Sequence, residues 1–219
     1  MRALGTSVTG FSAAALLLAG ATTAMAAPAH TIGRAGGPAA SSAAAVSHFD
    51  DGSFETPKVA PNSFHTFTTG QSIGPWKVTS GSVDVKDAGY WQAAEGDQSL
   101  DLSGTESGAV SQTFATKPGI RYTVTYSLAG NPHPEGPTLK TGKVLIDGQN
   151  VQDFSFDTTG KTYRNMGYVT REVTFVGTGA STTLTFAGTT TPNTASGAVI
   201  DDVTVERCTS HCCASCGDD

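Results

Sequence analysis

The stretch Ala198–Glu206, AVIDDVTVE, places two adjacent acids in a valine-rich run. Two-residue alternation puts Val199, Val203 and Val205 on one face of a strand, and Asp201 falls in phase with them. A carboxylate on the core side has to be paired, hydrogen-bonded or metal-bound, because burying it alone costs on the order of several kcal/mol. Near the start of the globular sequence, DDGSFETP sets Glu55 directly after Phe54, which reads as a core anchor. If the first and last strands lie side by side, as antiparallel sandwiches commonly arrange, Glu55 and Asp201 meet. Two facing carboxylates then require a proton or a cation between them. Hard oxygen ligands with backbone carbonyls nearby suit Ca²⁺. The alternative is that Asp201 accepts backbone N–H bonds from a neighbouring loop. Alternation alone leaves both open.

A second chemistry is written in the aromatics. A sugar presents C–H faces and a ring of hydroxyls, so its partners are an aromatic face and directional amide, carboxylate or guanidinium groups. Two segments have that mixture: GYWQ, with Tyr90, Trp91 and Gln92, and KTYRNMGY, with Tyr163, Arg164, Asn165 and Tyr168. Neighbouring residues in a strand point to opposite faces, so at most one of Tyr90 and Trp91 is expected outside. Trp76 is expected in the core, Gln98 and Asp101 are expected to satisfy loop backbones, and Asn131 reads as a turn former.

A third group is CTSHCCASCGDD. Cys208, Cys212, Cys213 and Cys216 lie within nine residues. With His211 they have zinc-like spacing, but in an exported chain disulfides are favoured. Pairing Cys212 with Cys213 would be strained, which leaves two connectivities. The loops closed are tiny, so the tail is not expected to brace the domain. It offers a route to a disulfide-linked partner.

Catalytic patterns are missing. Asp84, Asp87, Glu95, Asp97 and Asp101 are numerous, but no pair is singled out as a glycosidase would need. Of the five histidines, His30, His48, His65, His133 and His211, none has a serine-triad context. GxSxG, HExxH and phosphate-loop motifs do not occur.

The elements that must position these groups are short strands. Tyr122, Val124, Tyr126 and Leu128 alternate with polar residues, as do Val83 and Val85, and Asp147-Gly148 divides two apolar runs in a hairpin pattern. About eight to ten such strands, without helical periodicity, predict an all-β antiparallel sandwich or jelly roll over residues 48–207. Residues 27–47 are an Ala/Gly/Ser/Pro-rich linker. Residues 1–26, with Arg2, the apolar FSAAALLLAG and AMA, read as a secretory signal peptide, and residues 208–219 form the Cys-rich tail. The expected location is therefore secreted or extracellular. The whole chain carries a net charge of −6, and −7 once Arg2 is removed. No basic block of five residues exists, which disfavours nucleic acid and anionic membranes as partners.

Read in order, GSFETP, GQSIGPWKVTSGSVDV, YWQAAEGDQSLDLSG, GAVSQTFAT, YTVTYSLAGNP, FSFDTTG with NMGY, STTLTF and IDDVTV resemble the choice-of-anchor C family of bacterial exported proteins. That family is similar in turn to a plant cell-wall family labelled as a domain of unknown function. The resemblance spans nearly all of residues 48–207. It implies a galactose-binding-like jelly roll and association with extracellular polysaccharide rather than catalysis. It also implies a structural Ca²⁺ at the positions of Glu55 and Asp201. The chain departs from the family in having its cysteine tail where a surface anchor is expected. The reading is a secreted, non-catalytic carbohydrate-binding module. The alternatives are an adhesive surface protein with a protein partner and, last, a polysaccharide lyase or hydrolase.

Overall fold

The computed structural model of the chain describes residues 48–192 and 195–208. Residues 1–47, read above as a signal peptide and linker, and the tail cysteines 212, 213 and 216 lie outside the described residues. All regular structure among the described residues is strand. In chain order the strands are β1 (Phe64–Thr68), β2 (Ser72–Ile73), β3 (Trp76–Ser80), β4 (Ser82–Asp87), β5 (Gln98–Asp101) and β6 (Ala109–Ala115). They continue with β7 (Arg121–Gly130), β8 (Leu139–Ile146), β9 (Gln149–Asp157), β10 (Val169–Val176), β11 (Ser181–Gly188) and β12 (Ala198–Arg207).

They form two six-stranded antiparallel sheets, β1-β4-β5-β12-β7-β10 and β2-β3-β6-β11-β8-β9. The pairs β8–β9, β7–β10, β6–β11 and β5–β12 are nested one outside another, and the chain crosses between sheets as it winds outward. That is the strand order of an eight-stranded jelly roll built from two Greek keys. The strands β1 to β4 extend it at one side, giving twelve strands where eight to ten are expected from the sequence. The innermost hairpin turns at Asp147-Gly148 with φ of +50° and +80°, the left-handed pair that a tight hairpin turn demands.

The core lies between the sheets. Val83, Val85, Leu100, Ile200, Val124, Tyr126 and Leu128 face Trp76, Val78, Val110, Phe114, Leu184, Phe186 and Val144, all buried. Trp76 is in this core, as expected, with its Nε1 donating to the Asp51 carbonyl at 2.9 Å.

Two sequence expectations about the chain ends are corrected. The segment 51–57 is turn and irregular backbone, not a strand, and β12 has β5 and β7 as neighbours rather than the first strand. The early segment still touches β12, where Val203 N donates to Gly52 O at 3.0 Å. Second, the phase of Asp201 changes partway along β12. Ile200 pairs with Leu128 on the inner face, so Val199 and Asp201 point outward; a bulge at Asp202, φ +49°, then shifts the register and returns Val205 to the inner face opposite Val124. Asp201 is therefore on the outer face of its sheet, and yet it has no solvent exposure.

Candidate functional site

The outer face of β4, β5 and β12 should by alternation be wet. Ser82, Asp84, Lys86, Ser99, Asp101 and Asp201 are all buried instead. The β4–β5 loop and the β9–β10 loop fold over this face and roof it.

Lys86 is its centre. Only 4% exposed, its ammonium lies 2.8 Å from Asp84 Oδ2, and Thr66 Oγ1 donates to the other Asp84 oxygen at 2.6 Å. The same ammonium is 3.9 Å from the Phe64 ring centroid, 5.0 Å from that of Trp91 and 5.1 Å from that of Tyr90. A desolvated cation against aromatic rings contributes about 0.5–2 kcal/mol. Lys86 thus gathers three rings from two segments.

The two segments singled out for sugar chemistry, some 70 residues apart in sequence, come together here. Tyr90 and Tyr163 have ring centroids 5.9 Å apart at an interplanar angle of 47°, and Tyr90 and Phe64 are 5.7 Å apart at 74°. Gln92 fastens one loop to the other: its N–H donates to Tyr163 O at 2.8 Å and its Oε1 accepts from Met166 N at 3.1 Å. Arg164 and Asn165 are exposed on a tight turn in which Thr162 and Asn165 exchange backbone hydrogen bonds. Tyr90 and Tyr163 are half-buried, each leaving part of its ring open. Trp91 differs from its expected role. It is fully buried, with Nε1 donating to Ser99 Oγ at 2.7 Å, so it is the floor of the platform and not a contact surface. Tyr168 lies beneath the roof as well, its buried hydroxyl facing Ser99 without a hydrogen bond of ordinary geometry and its pKa pushed up by burial.

Sequence reasoning missed Phe64 and Lys86. The signal for Lys86 was present in SVDVKD, where Asp84 and Lys86 share a face with opposite charges two residues apart.

The roof loop is held by its backbone. Asp87 Oδ1 accepts from Asn62 N at 2.7 Å and Gly89 N at 2.8 Å. Glu55 Oε1 accepts from Asp97 N at 2.7 Å and Gln98 N at 2.8 Å. Asp201 Oδ2 accepts from Ala94 N at 2.7 Å and Glu95 N at 3.1 Å, and its Oδ1 from Asp202 N at 2.7 Å. Three carboxylates therefore clamp about a dozen residues. This is where the inward acid of the sequence finds its partners: amide donors.

Glu55 and Asp201 both bind the same loop: Glu55 Oε1 and both Asp201 oxygens accept backbone N–H groups. Among the described residues, no group of three or more His, Cys, Asp or Glu side chains is gathered to hold a metal. Gln98 and Asp101 satisfy backbones: Gln98 Oε1 accepts from Val59 N, and Asp101 Oδ1 from Ser103 N and Gly197 N at 3.0 Å each. Asn131 also closes on Asp101, its Nδ2 donating to Oδ2 at 2.8 Å.

Burial pushes the Asp201 carboxyl up to about 7, against the pull of the amides of Glu95, Ala94 and Asp202. Burial likewise raises Asp101 to about 7, opposed first by the Lys86 charge and then by Asn131. Cys208, the one tail cysteine among the described residues, is a free thiol with Sγ 3.2 Å from Thr123 Oγ1.

Fold and site together define an antiparallel jelly-roll module with a roofed aromatic face. The chain belongs to the DUF642 family, described as protein of unknown function, whose model matches residues 47–206. Halomucin of Haloquadratum walsbyi is 30% identical over 160 residues; the match covers 71% of this chain but only 2% of that protein. Among solved structures, the chain is similar to the CBM22-1 xylan-binding domain of Paenibacillus barcinonensis Xyn10C, at 16% identity and a TM-score of 0.44, covering 68% of this chain and 97% of that one. It is also similar to a family 35 carbohydrate-binding module from Clostridium thermocellum, at 13% identity and a TM-score of 0.43, covering 64% and 97%. The jelly-roll assignment rests on the strand order of this chain itself.

Proposed function

We propose that the chain is a secreted, non-catalytic carbohydrate-binding module. Its ligand is a cell-wall or other extracellular polysaccharide, taken against the open faces of Tyr90 and Tyr163, with Gln92, Arg164 and Asn165 meeting hydroxyls at the rim. The observation that carries this reading is the convergence of the two aromatic–amide segments on one half-open platform whose floor, Trp91, is buried and hydrogen-bonded. Sugar C–H faces stack on such rings, and a preorganised surface loses little entropy on binding.

The acids argue for binding rather than turnover. Asp101 and Asp201 hold a proton near neutral pH, the property a general acid needs, but neither has any solvent exposure. Asp84 is paired to Lys86, and Glu55 and Asp87 are engaged with amides. The likeness to choice-of-anchor C proteins is a finer statement of the same reading and fits a chain exported by residues 1–26.

The test is retention on a panel of insoluble polysaccharides, followed by titration of the soluble fragments of any that bind. Wild type is expected to be retained on at least one. Tyr90→Ala and Tyr163→Ala, checked for unchanged melting, are expected to lose at least tenfold in affinity. Retention that is indifferent to both substitutions would remove this platform as the site, and reducing-end release on any substrate would overturn the non-catalytic assignment.

A further inference from the structure

The aromatic platform does not stop at Tyr90. Phe64 continues it at the edge strand β1, where its ring is 45% exposed and T-shaped to Tyr90 at 5.7 Å. Beyond Phe64 the surface opens into a cavity of about 360 Å³ lined by Pro57, Lys58, Val59, Ala60, His65 and Phe67, with Phe64 itself as the shared wall. That volume is at the small end of ligand sites, room for one sugar unit rather than a whole oligosaccharide. Its floor is apolar, Val59 and Phe67, and polar groups stand at its rim, His65 and Lys58.

Tyr163, Tyr90 and Phe64 succeed one another at 5.9 and 5.7 Å between centroids. Such steps are comparable with the spacing of consecutive rings along an extended pyranose chain. Both lysines on this side are already paired, Lys86 with Asp84 and Lys58 with Asp97, which leaves Arg164, exposed beside Tyr163, as the cation at that end of the row.

Resting on the carbohydrate reading above, we infer that the site is a track for the interior of an extended polysaccharide chain. Successive sugar units lie over Tyr163, Tyr90 and Phe64, and the unit after Phe64 enters the cavity between residues 57–60 and β1. The track is open at its ends, and the chain passes through it.

The experiment is isothermal titration of the full mature chain with size-graded β-1,4-linked gluco-, xylo- and galacto-oligosaccharides of two to six units. In whichever series binds, Kd is expected to tighten at least tenfold from two to four units and then level off. In Phe64→Ala, and independently in Ala60→Trp, which fills the cavity from an exposed position, the tetrasaccharide-to-disaccharide affinity ratio is expected to fall to within twofold of one. Phe64→Tyr is expected to keep the wild-type ratio, which separates loss of the track from loss of the fold. Binding that is independent of length, or a length gain that survives both Phe64→Ala and Ala60→Trp, would overturn the track while leaving a carbohydrate site in place. No binding at any length in any series would overturn the track together with the carbohydrate reading.

Discussion

Replacing Asp201 by Asn removes one titration while nearly preserving shape. Asp201 is fully buried, and its pKa is raised from 3.8 to about 7, first by desolvation. Between those values the folded chain keeps a proton that the unfolded chain has released. The stabilisation is therefore complete below pH 3.8 and is lost as pH rises through about 7. Each pH unit in that window is worth about 1.4 kcal/mol, so the whole shift amounts to about 4 kcal/mol. The assay is urea unfolding from pH 4 to 8, followed by the fluorescence of the buried Trp76 and Trp91, on wild type and D201N. The fixed cost of putting an amide where Ala94, Glu95 and Asp202 donate is common to every pH and drops out of the slope. The stability of wild type relative to D201N is expected to grow by about 1.4 kcal/mol per unit as pH falls from 7 towards 4. A difference that is flat across the range would refute the raised pKa. One that shrinks towards acid would mean that the three amides outweigh burial and hold the carboxyl below its usual range.

Gly96 has φ +60°, and a Cβ there would stand 2.4 Å from Glu55 Oε1; Gly96→Ala is expected to expel that carboxylate from its amides, destabilising by about 1–3 kcal/mol in chemical denaturation and weakening glycan binding with it. Tyr168→Phe removes a buried hydroxyl that faces Ser99 without a hydrogen bond of ordinary geometry and is expected to leave stability unchanged or raise it by about 1 kcal/mol; a loss of that size would show that Ser99 is a full partner. Chelation with EDTA is expected to leave the melting temperature within about 1 °C, because Glu55 and Asp201 are engaged by amides and a cation that stabilised the fold at a hundredfold excess over its Kd would add about 2.7 kcal/mol. A fall of several degrees would establish a bound cation.

The fold was legible where its determinants are local. The left-handed Asp147-Gly148 turn and the alternation of Tyr122, Val124, Tyr126 and Leu128 are written in adjacent residues, and the structure has the hairpin and the buried face that they require. The two segments proposed to bind were legible by type, because few residue combinations suit a sugar, although their meeting over Lys86 is a tertiary event that no spacing announces. What failed was phase. A single left-handed residue, Asp202, reverses the faces of β12, and aspartate tolerates that conformation without any flanking glycine to mark it. The burial of Asp84, Lys86 and Asp101 was likewise hidden, because a strand's polar face reads as wet until loops from elsewhere in the chain cover it.

Because Glu55 and Asp201 grip the second half of the roof loop by main-chain N–H groups, the path there does not depend on the side chains of Ala94 and Glu95. Ala94 and Glu95 are exposed on a backbone already fixed at both ends. Randomising Ala94 and Glu95 should thus retune which glycan is preferred while the melting curve stays put, so the scaffold lends itself to diversification much as an antibody frame does beneath its variable loops.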